Sequence, residues 1–129
     1  MSAASNYLEN ALVNAVFRNT TYTSPATVYL ALYVSNPADD DSGTEVSGTN
    51  YVRKAITFGA PSNGAITQSA QVTFDTAGAG GWGDVSHWGI FDASTDGNLL
   101  AYGAFSGTTT VNSGDTAFVG ASAVVVTLA

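Results

Sequence analysis

Cysteine is absent from the 129 residues. That excludes a disulfide framework and any thiolate metal centre. Positive charge is almost absent too: Arg18, Arg53 and Lys54 stand against ten acids, for a net charge of −7. A chain so poor in cations cannot replace the counterions of a nucleic-acid backbone, so no direct nucleic-acid partner is expected. Only 10% of residues are charged, against a usual value of about 25%. The surface must then be made of Ser, Thr, Asn, Gly and Ala, or be covered by other protein, which points to a homo-oligomer or an assembly. No apolar run approaches the ~20 residues of a membrane helix, and no membrane partner is expected. The N-terminal residues lack the basic and apolar regions of a secretory signal, so synthesis in a cytoplasm is expected.

The patterning that is present is mostly of period two. Val28, Leu30, Leu32 and Val34 fall on one face of a strand, and Tyr29, Ala31 and Tyr33 on the other. Both faces are apolar, as in a strand covered on two sides. Further strands are expected over 51–58, 65–67, 71–74, 85–91, 99–105, 116–119 and 122–128. Asn63-Gly64, Asp96-Gly97 and Ser113-Gly114-Asp115 supply turns between them. One helix precedes the strands. Asn6 is its expected cap with Glu9 three residues on, and Leu8, Leu12, Ala15 and Val16 form one stripe. The expected fold is mainly β: a single domain over 1–129, an antiparallel β-sandwich of jelly-roll type with one short N-terminal α-helix. Residues 1–18 form its helical segment and 35–50 a long polar loop, of a length usually found in functional or mobile segments.

The chemistry-bearing residues are few. His87 is the sole histidine, and no Gly-x-Ser-x-Gly elbow accompanies it. Alternation along a strand would send Ser86 and His87 to opposite faces, which counts against a nucleophile–base pair. Asp39-Asp40-Asp41-Ser42-Gly43-Thr44-Glu45 resembles a calcium loop only superficially, because Gly43 is one place early and no Glu closes the twelfth position. No nucleotide motif is present. Catalytic, cofactor and metal residues are therefore expected to be none. Trp88 alternates with Ile90 on one face, with Val85, His87, Gly89 and Phe91 on the other, a packing pattern. Trp82, in a Gly-rich lead-in, is the one tryptophan left open as a contact residue. The expected interface set is Tyr7, Leu8, Leu12 and Val16 from the helix, Asp39, Asp40, Asp41 and Glu45 from the loop, and Trp82.

Several stretches, in order along nearly the whole chain, resemble the small virion structural proteins of tailed bacteriophages. They include Tyr7 to Leu12, Thr23 to Tyr33, Gly43 to Gly48, Ile56 to Phe58 and Val72 to Phe74. Trp82-Gly83, Val85 to Ala93 and Gly97 to Ala104 continue the match. The resemblance implies a virion part with no catalytic residues to carry over. Two places on the virion follow. A capsid decoration (cement) protein would sit on the outer head surface as a homotrimer or homodimer, bridging subunits of the major capsid protein. A tail-fibre or tail-associated adhesin would bind a host surface glycan. The absence of a coiled-coil or repetitive shaft in these residues favours the first.

Overall fold

The computed structural model describes residues 2–128; Met1, part of the expected helical segment, lies outside the described residues. Nine strands and one helix follow in the order β1 (Ser2–Ala4), α1 (Asn6–Phe17), β2 (Val28–Tyr33), β3 (Lys54–Ile56), β4 (Ala65–Thr67), β5 (Val72–Thr76), β6 (Gly83–Phe91), β7 (Leu99–Val111), β8 (Thr116–Val119) and β9 (Val125–Thr127). Five strands form one sheet in the order β1-β7-β6-β2-β3, and β4-β9 and β5-β8 form two-stranded ribbons. Every pairing is antiparallel. The chain is thus mainly β with one helix, an arrangement compatible with a sandwich.

β2 explains the layering. Leu30 and Leu32 point into the main core, where Trp88 and Ile90 of β6 meet Val72 and Phe74 of β5, Val119 of β8 and Val124. Ala31 and Tyr33 point the other way, into a second cluster with Phe91 and Leu99. The two faces read from its alternation are the two faces observed. One face of the sheet is therefore covered by the ribbons. Over the other lies the first part of the 35–50 loop, whose Asp41 accepts the Tyr33 hydroxyl and whose Asp39 accepts that of Tyr102, while Thr44 to Val46 run beside β2 and Val46 enters the main core.

The structure departs from the expected elements at particular places. Of 51–58 only Lys54–Ile56 pairs as a strand, and of 122–128 only Val125–Thr127. β7 runs six residues further than expected, to Val111. Val85 was expected opposite Trp88 but joins the same core. The β6–β7 register explains it: Val85 pairs with Thr109 and His87 with Ala104, so the ladder is broken between them and strict alternation fails.

The helix cap is Ser5 rather than Asn6. The Ser5 Oγ accepts from Leu8 N at 3.2 Å, and the first helical bond runs from Glu9 N to Ser5 O at 2.9 Å. Glu9 is then one residue too far along for a capping box. Ser5 does more than cap, because it is buried and its hydroxyl donates to Leu99 O while its N–H donates to Leu100 O at 2.9 Å. One small side chain thereby starts α1 and fastens it to β7. Ser5→Ala removes both side-chain bonds and leaves a buried carbonyl short of a donor. It is expected to cost about 1–3 kcal/mol in urea unfolding; a loss under half of that would show the cap to be dispensable.

Candidate interaction surfaces and the buried cation

Arg53 organises the loop side of the molecule. Its side chain is only 9% exposed. The Nε and Nη2 donate to the two carboxylate oxygens of Glu45, each at 2.8 Å, a two-bond fork. Nη1 donates to Ala93 O at 3.1 Å and Asp96 O at 2.7 Å. The guanidinium lies 3.6 Å from the ring centroid of Phe91, which in turn stacks parallel to Tyr33 at 6.5 Å. Glu45 also accepts the Tyr51 hydroxyl at 2.8 Å, and that hydroxyl accepts Leu32 N at 3.0 Å. A chain of bonds therefore joins the 35–50 loop, the 92–97 loop and β2. Burial pushes the Tyr51 phenol well above its ordinary value, with the neighbouring Glu45 charge adding to it. The Tyr33 phenol is raised by burial and by its bond to Asp41.

The acids expected at an interface are thus largely engaged within the chain. Glu45 holds Arg53, Asp41 holds Tyr33, and Asp39 holds Tyr102. Asp40 is exposed and accepts Ser42 N at 3.2 Å, closing a local turn. Among the described residues no three His, Asp or Glu side chains gather as metal ligands would.

Trp82 is a core residue, 5% exposed, and this corrects its reading as a contact residue. Gly81 and Gly83 flank it with φ of 64° and 81°, and the turn they make carries the indole inward. There it meets Tyr51 at 5.4 Å and Phe74 at 6.3 Å, edge to face, and its Nε1 donates to Thr49 O at 3.0 Å. Gly48 lets it in, since a Cβ there would lie 2.4 Å from the Trp82 ring. The two glycines around the tryptophan were the legible signal for this inward turn.

Ser86 Oγ and His87 Nδ1 lie 2.8 Å apart, although alternation had placed them on opposite faces. The broken register beside them is the reason. Among the described hydrogen bonds the imidazole meets no carboxylate, and the pair lacks the third group that orients a catalytic base.

The helix holds the main exposed apolar surface. Leu8 packs against the core, and Leu12 is half-buried. Val16 is 71% exposed and Phe17 79%, with Val13 and Tyr7 also exposed. Val13, Val16 and Phe17 are spaced i, i+3, i+4 and form one outward stripe. Val16 was in the expected interface set and is exposed, whereas Val13 and Phe17, whose spacing was available, were missed.

Replacing Arg53 by Lys keeps the charge but loses the fork and the carbonyl contacts. The expected cost is about 1.5–3 kcal/mol by chemical unfolding; wild-type stability in that variant would refute the central place given to the guanidinium. The bond to Asp39 is the first cause that raises the Tyr102 phenol from 10.0 to about 12, with burial second. A raised phenol contributes stability that is full below about pH 10 and is lost as pH rises through about 12. Tyr102→Phe should therefore flatten the fall of unfolding free energy across that window, and superimposable curves would count against the contact.

Residues 3–127 match the family model described as "Podophage GP4 fiber I protein gp80". No curated protein matches the chain.

Proposed function

As the chain belongs to the podophage GP4 fiber I protein gp80 family and is a phage virion structural protein, we propose that it is built into a fibre of the particle. The description of the family is the observation that carries this reading. The α1 stripe of Val13, Val16 and Phe17 suits it, because a virion subunit needs a face that seats on its neighbours and this one is apolar and bare. Its partners are then further copies of itself and an adjoining tail protein, with a host surface glycan as the target of the assembled fibre. No residue is assigned a catalytic role: in this reading the protein works by occupying a place and by contact repeated over many copies.

The decoration reading gives the same helix a different seat. There α1 docks on the major capsid protein at the outer head surface, and dimers or trimers bridge neighbouring subunits. The compact two-sided packing around β2 favours a small domain of that kind as well. Gold-labelled antibody to the protein on intact virions separates the two: label along the tail fibres is expected, and label over the head overturns the fibre reading in favour of decoration.

The helix stripe has its own test. Val16→Asp with Phe17→Asp changes two exposed side chains, so unfolding free energy should shift by no more than about 1 kcal/mol. Incorporation into particles during infection, read by blotting purified virions, should fall at least tenfold. Normal incorporation would remove α1 from the assembly surface.

A further inference from the structure

β7 and β8 are consecutive strands joined by the short turn 112–115, yet they do not pair with one another. β7 pairs with β6, and on its other side β1 reaches only Ala101–Gly103. β8 pairs with β5 alone. The outer edge of β7 past Ala104 and the outer edge of β8 are therefore without strand partners among the described residues. Between them runs a groove of about 530 Å³, floored by the core residues Leu32 and Val85 and walled by Phe105 and Phe118. Phe118 is 64% exposed.

Two glycines line this groove: Gly107 in the stretch of β7 where the β6–β7 register slips between Ala104 and Thr109, and Gly120 just past β8, whose carbonyl accepts Ala123 N at 3.1 Å. Gly107 and Gly120 have ordinary φ, and a Cβ added at either would meet no atom within 4 Å. The slip and the turn account for a glycine at each place, and neither glycine puts a side chain into the groove. The open space at Gly107 and Gly120 leaves room for a further backbone. Strand edges on both sides ask for hydrogen-bonding partners that an extended backbone supplies.

We propose that this groove receives an extended strand from a second copy of the chain, namely residues 20–25. The proposal rests on the reading of the protein as a virion assembly subunit. The match is one of charge and length. The only charged residue lining the groove is Asp115, whose carboxylate already accepts Asn112 N at 2.8 Å. An uncharged occupant fits it. Thr20-Thr21-Tyr22-Thr23-Ser24-Pro25 is uncharged and rich in strand-forming residues. Among the described residues it has no strand partner, and the Thr20 N bond to Asn14 O is the one backbone bond there outside helix and strand. Six residues in extended form span about 20 Å, the reach of the open edge from Phe105 to Thr110. Donor segment and acceptor groove are different surfaces, so each copy binds one neighbour and is bound by another, and the contact propagates head to tail.

The experiment uses the purified full chain. Self-association is measured by sedimentation for wild type, Gly107→Val and Gly120→Val, with unfolding free energy measured alongside. Both substitutions fill open space and are expected to fold as well as wild type. Each should lower the association constant at least tenfold. In the wild-type oligomer, amide exchange of residues 105–110 and 116–118 should slow relative to the monomer, and a synthetic peptide of residues 19–27 should compete. A chain that stays monomeric, valine variants that associate normally while folded, or an oligomer with unprotected edges would each overturn the proposal. So would an oligomer in which the edges are protected but the peptide does not compete, because the occupant is then another segment. These readouts are made in solution and do not depend on whether the virion carries the protein on fibre or head.

Discussion

The loop side of the fold depends on one cation. In a chain with three basic residues, the Arg53 guanidinium satisfies the Glu45 carboxylate and two loop carbonyls while lying over Phe91. Removing a charge pair from water costs several kcal/mol, and that cost is offset here only because the fork, the carbonyls and the ring are all in place together. The consequence is that 35–50, a loop long enough to be mobile, is tied down: Thr44 to Val46 run beside β2 and 39–41 lie as a lid over the second face of the sheet. Asp39 and Asp41 then fall within reach of Tyr102 and Tyr33. Four acids that look like an outward display are, in three cases, the inward ties of that loop.

What was legible in the sequence follows from what is local. β2 was legible on both faces because its alternation runs unbroken for its whole length, and β6 was legible as far as its register holds. The helix was legible from its spacing, but the cap was displaced by one residue because both Ser5 and Asn6 are good caps. The choice is made by Leu99 and Leu100, which bond Ser5 from the far end of the chain. β1 carries no signal of its own, since Ser-Ala-Ala has no β preference and becomes a strand only by lying along β7.

The candidate surfaces divide in the same way. That Val16 is apolar is visible in the sequence; that it faces outward is a property of where β7 holds α1. Trp82 is the reverse case. It sits in an open-looking glycine-rich stretch, and those glycines are what fold it inward onto Tyr51 and Phe74. Family membership of the chain and its bare helix stripe point to assembly, whereas Asp39, Asp41 and Glu45 are tied to side chains of the chain itself.

Ser5 bonds a residue 94 positions later in the chain, β1 finds its sheet partner in β7, and β2, though it can pair early with β3, meets β6 only late. On a ribosome β1 and the β6 side of β2 therefore wait, and the sheet closes only after most of the chain has emerged. Until then α1 and β2 present apolar surface with nothing to cover it, and high contact order makes the final closure slow. A virion part is made in many copies over a short interval, so its yield is set in that interval by a race between late closure within one chain and premature contact between several.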